Sequence, residues 1–295
     1  MKFLLAQPAQ LRFQWELDVV LTNILSLKAD AEIVCLFASE DRNSQGVFDH
    51  ISSRYPTVEC HMYEDTRADK SYAPTVRPFL WYCYLSEDKQ RETETYFQID
   101  ADIIFRELPD FTKIPVSEKV WYGSDCGGYI DYEYLRTRQK GDYIVDSFSE
   151  LLEVPRYAIE MTPGAGAQWL MKNPTADYWL KVYNDCNRLW KFLQGVDSDI
   201  QKWTAEMWAQ LYNAPAFGIE QHISKELDFC RPTDPVQMWG MTKILHNAGV
   251  VDEGASSLFY KGKYVDHTPF GENFDWVRRD HCSIYYVEAI KKVAL

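Results

Sequence analysis

The sequence predicts an α/β fold with a mostly parallel central sheet flanked by helices, and three observations carry that prediction. Residues 2–7 (KFLLAQ), 13–27 and 31–38 (AEIVCLFA) read as strand, helix and strand, the order that builds a parallel βαβ unit. The sharpest strand signal, YFQIDADIIF at 96–105, sets two aspartates between apolar runs, whereas a buried parallel strand should be almost unbroken apolar sequence. The 295 residues are 46% apolar, enough to bury a large core without disulfide staples.

The elements follow in order. In the first helix Phe13, Leu17, Val20, Leu21, Ile24 and Leu27 fall at helical spacing, and the second strand runs into the polar SEDRNSQG, as a buried strand does at a sheet's carboxyl edge. A helix is expected over 47–55, an alternating strand over 58–63, and an aromatic-rich helix over 75–84 that Pro78 starts or bends. One continuous strand is expected over 96–105. Beyond it, 120–125 (VWYGSD) reads as a strand, 126–131 (CGGYID) as a turn and 131–140 as a charged excursion. A small-residue turn then leads into an apolar strand within 164–171. Helices are expected over 174–194, opened by a proline, over 203–211, and over 283–293, where two lysines in the last turn suit the helix dipole.

Composition excludes several classes. With 31 basic and 44 acidic residues the net charge is −13, which argues against a chain whose main task is to hold a phosphate backbone. The seven cysteines are scattered without a CxxC pair, so they read as reduced thiols of a cytosol-like compartment. The first residues are too short and polar for a signal peptide, and no run of about 18 apolar residues occurs, so no membrane insertion is expected.

The triplet Asp100-Ala101-Asp102 is the most informative feature. On a strand, side chains at i and i+2 share a face, so both carboxylates can converge on one divalent cation whose charge offsets their repulsion. A divalent cation at the carboxyl edge of an α/β sheet commonly carries phosphates. There is no G-x-G-x-x-G after the first strand and no G-x-x-x-x-G-K-[ST] anywhere, which removes the main support for dinucleotide oxidoreductases and P-loop enzymes. Metal-bridged diphosphate chemistry remains.

YFQIDADIIFRELPDF (96–111) resembles the strand and DxD motif of GT-A-type glycosyltransferases, in the form found in the plant and algal peptidyl hydroxyproline arabinosyltransferases and serine galactosyltransferases. AGAQWLM (165–171) with NPTADYWLKV resembles their acceptor-side strand and helix, and DIQKWTAEMWAQLYNA (199–214) their tryptophan-rich helix. KILHNAG (243–249) is similar to the segment where these families, and the glycogenin-like enzymes, place a histidine beside the metal. The likeness runs in order over residues 1–265.

The resemblance implies one GT-A-like catalytic domain over 1–295, with a nucleotide-sugar-binding half (1–111), an acceptor-side half containing a small antiparallel element (112–265) and a C-terminal extension and helix (266–295). It implies a Mn2+- or Mg2+-dependent transferase that moves a sugar from a UDP-linked donor to a hydroxyl acceptor with retention of configuration. Those eukaryotic relatives follow a membrane anchor; here a soluble bacterial or viral relative is expected, cytoplasmic or in the host cytoplasm. Acceptor candidates are a glycan, a protein hydroxyl and a hydroxymethylated DNA base, and the charge disfavours duplex DNA. Nothing in the sequence sets the oligomeric state.

Asp100, Asp102 and His246 are the expected metal ligands, with Asp100 also able to reach the donor ribose or sugar through water. Lys261 and Lys263 in YKGKY are expected to fold over the diphosphate, Gly262 between them allowing close backbone approach. Pro8 and Arg12, in the loop after the first strand, are placed at the nucleotide base, and Arg77 at the donor. Glu206, rising from the aromatic KWTAEMW, suits hydrogen bonds to sugar hydroxyls or stabilisation of a positively charged transition state; a surface glutamate paired with Lys202 is its plain alternative. An inverting enzyme would need a base at the acceptor, for which Glu206 and Asp234 are the candidates. Two other functions fit the same features. A nucleotidyltransferase uses a similar sheet and acid pair, but QPAQLR is poor in the glycines and cations it wants after the first strand. A binding or assembly protein on a silent scaffold would keep the fold without turnover.

Overall fold

The computed structural model describes residues 1–41, 43–252 and 257–293. In chain order the elements are β1 (Lys2–Pro8), α1 (Leu11–Leu27), β2 (Ile33–Ser39), α2 (Ser44–Arg54), β3 (Glu59–Glu64), α3 (Val76–Glu87), β4 (Thr95–Gln98), β5 (Ile103–Phe105), β6 (Val120–Asp125) and α4 (Gly127–Ile130). There follow α5 (Tyr132–Arg136), α6 (Gly141–Leu152), α7 (Arg156–Met161), β7 (Ala165–Lys172), α8 (Ala176–Gln194), α9 (Ala205–Asn213), β8 (Glu220–Ile223), β9 (Phe229–Cys230), β10 (Ile244–His246) and α10 (Ser283–Val293). No helix among the described residues is long and apolar enough to cross a membrane.

The chain divides into two compact units. The first comprises Met1–Ala6, Asp65–Gln98 and Ile114–Lys225. Its strands run in the order β1-β4-β7-β6-β8: β4 is parallel to β1, with Phe3 opposite Phe97, β7 is antiparallel to both β4 and β6, and β8 is parallel to β6. Helices α3, α8 and α9 supply an aromatic core in which Trp81 and Trp179 stack at 4.9 Å. The indole N–H of Trp81 donates to Gln98 Oε1 (2.9 Å) and that of Trp208 to the Ile130 carbonyl (3.0 Å). Helix α8 starts at Ala176, not at Pro174, because the Thr175 hydroxyl accepts the Tyr178 N–H and caps it.

The second unit comprises Gln7–Glu64, Ile99–Lys113 and Glu226–Leu295. Strands β2 and β3 pair in parallel from Val34 opposite Glu59 to Ser39 opposite Glu64. The end of β1 is tied to β2, the Gln7 amide donating to the Leu36 carbonyl (3.0 Å) and the Ala9 N–H to that of Ala38 (2.9 Å). A separate three-stranded sheet runs β5-β10-β9, with β10 antiparallel to β5 and parallel to β9. Its core joins α1, β5, β10 and α10 through Trp15, Val19, Ile104, Leu245, Phe259, Tyr264, Tyr286 and Ile290.

The α/β class with a mostly parallel, helix-flanked sheet is as the sequence predicts. One strand is not: the run over 96–105 breaks into β4 and β5, with Ile99 and Asp100 outside either strand and Ala101-Asp102 in a turn. Two carboxylates in the middle of a ladder would have met no compensating charge there. The turn gives each its own direction, so they converge through the bend instead of through strand alternation. The segment over 126–140 also differs, forming the short helices α4 and α5; Asp131 caps α5 by accepting the Tyr134 N–H (2.7 Å).

Candidate metal centre

The site is assembled in the second unit by the register of its small sheet. Strand β5 starts immediately after Asp102, and β10 ends on His246. Their antiparallel pairing sets His246 opposite Ile103, and the Asn247 N–H continues the ladder by donating to the Asp102 carbonyl (2.9 Å). The imidazole therefore arrives one residue from the buried aspartate. His246 Nε2 stands 3.3 Å from Asp102 Oδ1 and 3.4 Å from Asp100 Oδ2, and the Phe229 ring on β9 packs against it at 5.5 Å. One ligand atom from each of Asp100, Asp102 and His246 fits within 4.8 Å of the others. Two carboxylate oxygens and one imidazole nitrogen make a donor set suited to a borderline divalent cation such as Mn2+. Asp102 is buried, while Asp100 and His246 are partly exposed, which leaves the cluster an open side.

Lys261 completes the cluster. Its ammonium donates to Asp102 Oδ2, so the two oxygens of Asp102 are divided between a lysine and a histidine. Burial would raise the Asp102 pKa, but Lys261 and then His246 outweigh it and hold the carboxyl well below its usual range. Lys261 in turn is held charged: burial acts to lower its pKa, and Asp102 and Glu16 raise it further than burial lowers it. Lys261 lies in a short 3-10 turn, Lys261–Lys263, followed by Tyr264, which is buried. The Tyr264 carbonyl accepts the Trp15 indole N–H (2.8 Å) and its hydroxyl donates to Glu272 (2.7 Å). At Gly262 an added Cβ would lie 2.2 Å from the Tyr260 ring, so a side chain at that position requires the ring to shift.

Glu16 was not singled out by sequence reasoning. It is buried on α1, accepts a hydrogen bond from Arg12 Nε (3.2 Å), and burial pushes its pKa up to about 7 against the pull of Lys261 and Arg12. A signal was available: WELDVVL places Glu16 and Asp18 among apolar helix positions, where an acid on the core side needs a partner. Asp18 finds His50 (2.9 Å) and the Tyr55 hydroxyl (3.1 Å).

The remaining predicted residues fall elsewhere. Arg12 reaches this cluster by way of Glu16. Pro8 is buried, its carbonyl accepting the Gln10 N–H (3.0 Å). Lys263 is exposed, with its ammonium 5.7 Å from the Tyr264 ring centroid. Asp234 sits in a turn of the second unit, where Oδ2 accepts the Arg231 N–H (2.7 Å), and it is not part of the three-residue ligand group. Glu206 and Arg77 belong to the first unit and meet there, Arg77 Nη1 lying 3.4 Å from Glu206 Oε2. Glu206 is buried, and its backbone N–H donates to the Tyr72 hydroxyl (3.1 Å). Lys202 is not its partner: that ammonium donates to the Val196 carbonyl (2.6 Å).

No protein-family model matches the chain, and no curated protein matches it by sequence. Solved structures do. The bifunctional glycosyltransferase WbbM, in its apo structure, superposes with a TM-score of 0.53 at 12% identity, over 99% of this chain and 49% of that one. This chain thus spans about half the length of WbbM. The galactosyltransferase LgtC, solved with donor and acceptor sugar analogs, gives a TM-score of 0.46 at 12% identity over 100% of this chain and 97% of that one. Mouse xyloside xylosyltransferase 1 gives 0.42 at 10% identity over 83% and 96%. The likeness to WbbM fixes the fold, an α/β architecture of the GT-A glycosyltransferase type.

Proposed function

We propose that the protein is a metal-dependent glycosyltransferase that moves a sugar from a UDP-linked donor to a hydroxyl acceptor with retention of configuration. The observation that carries this reading is the convergence of Asp100, Asp102 and His246 just beyond β4 in a fold of this type. Retention and the UDP donor come from the family resemblance.

The donor set fits Mn2+ or Mg2+, and Asp100, Asp102 and His246 are the residues that would hold it. When bound, such a cation neutralises the charge that grows on the departing diphosphate. The chain's own groups do the rest. Lys261 supplies a positive charge beside the cluster that can turn to the diphosphate, presented by a turn that the Trp15–Tyr264 bond anchors. Asp100, the more exposed acid, is the one placed to reach donor hydroxyls through water. Glu206, desolvated and held by Arg77, is suited to bind a sugar hydroxyl or to face positive charge at the anomeric carbon. The acceptor is a glycan or a protein hydroxyl in preference to DNA, given the net charge of −13.

Thermal unfolding with UDP and MnCl2, singly and together, tests the reading. A ligand pair at about 100 times its Kd adds about 2.7 kcal/mol of stability. The wild type should therefore melt several degrees higher with both present, while His246→Ala should show a much smaller rise. No joint effect on the wild type speaks against a nucleotide–cation site.

A further inference from the structure

Lys261 occupies the position where a cation's charge is wanted. We propose that it is a resident counter-ion that competes with the divalent metal for Asp102, and that a diphosphate draws it away, so that metal and donor bind as a linked pair. The inference rests on reading Asp100, Asp102 and His246 as the cation site.

Two features support it. The ammonium already contacts Asp102 Oδ2, and this aspartate is the most buried of the three ligands. Two positive groups cannot share one buried carboxylate without repulsion, because little water screens them. The lysine also cannot withdraw by loop opening at low cost. The turn that carries it is closed by Tyr264 N–H to Lys261 carbonyl (3.1 Å), packed at Gly262 against Tyr260, and fastened by the Trp15 indole to Tyr264. Its ammonium moves by side-chain rotation alone. A metal arriving alone must displace this charge with nothing new to receive it. A metal arriving with a diphosphate brings oxygens to which the ammonium can turn.

Such coupling is reciprocal, and values of roughly 5- to 150-fold are usual between linked ligands. The diphosphate's own bonds to the metal contribute to it, so the discriminating quantity is the affinity for metal alone. Mn2+ is titrated calorimetrically into the wild type and into Lys261→Met, Lys261→Gln, Lys261→Arg and Asp102→Asn, each with and without UDP. Both neutral variants should bind Mn2+ alone roughly tenfold more tightly than the wild type, with a smaller gain from UDP. Lys261→Arg, which keeps the charge, should behave as the wild type does. Near-UV circular dichroism identifies which neutral variant keeps the native packing. Equal or weaker binding of Mn2+ alone by a folded neutral variant overturns the competition. If Asp102→Asn binds Mn2+ as well as the wild type, the cation site itself is wrong and the inference falls with it; if only Asp102→Asn loses Mn2+, the site stands and the competition fails.

Discussion

Glu16 shows how one buried side chain constrains its surroundings. With burial lifting its pKa to about 7, the folded chain keeps a proton there that the unfolded chain releases near the ordinary glutamate value. Between those two values the folded state binds more protons, so stability falls as pH rises through the window. Glu16→Gln has no proton to lose and keeps an oxygen for Arg12. Its melting temperature relative to the wild type should rise between about pH 5 and about pH 8, by the equivalent of 1–3 kcal/mol on an order-of-magnitude scale. A difference that stays flat across that range contradicts the burial argument. Asp102 is perturbed in the opposite direction by the same neighbourhood: Lys261 stabilises the anion that burial alone would penalise.

At the scale of elements, most of the chain's βαβ start was legible, because β1, α1, β2, α2 and β3 each combine the right period with a polar boundary. Helix α10 was read at Ser283–Val293, where its apolar residues and terminal lysines agree. The DAD segment was legible as chemistry and not as shape. Its flanking apolar runs looked like one strand, and only the pairing of β10 with β5 reveals that the second run belongs to another sheet. Helix α6 is not among the expected elements although Ile144, Phe148 and Leu152 recur at helical spacing and are buried; it follows directly on the charged 131–140 segment, with no side-chain cap to mark its start. That His246 would stand beside Asp102 rested on the resemblance, since contacts between residues more than a hundred positions apart leave no periodic trace. The 3-10 turn at Lys261–Lys263 yields its own prediction. Gly262→Ala must push the Tyr260 ring or the turn aside, at a cost of about 1–3 kcal/mol if neither relaxes well. The variant should melt lower than the wild type and bind UDP with Mn2+ more weakly; unchanged melting and affinity would show that Tyr260 simply swings clear.

For the molecule as a whole, the charge of −13 bears on the acceptor. Duplex DNA should fail to retard the protein in a gel-shift experiment at about 0.1 M salt, hydroxymethylated or not, because nonspecific affinity needs cations to displace the counter-ion atmosphere. A clear shift would return DNA to the acceptor candidates. The central claim is narrower: Asp100, Asp102 and His246 form a cation site that serves sugar transfer from a nucleotide donor. Release of nucleoside diphosphate from a panel of nucleotide sugars, measured with Mn2+ and with chelator for the wild type and Asp102→Asn, tests it most directly. The account predicts Mn2+-dependent release from at least one UDP-sugar, reduced by roughly 100-fold or more in Asp102→Asn, the scale expected when a strong electrostatic group is lost. Turnover that survives both chelator and the substitution, or the absence of release from every donor, would contradict it.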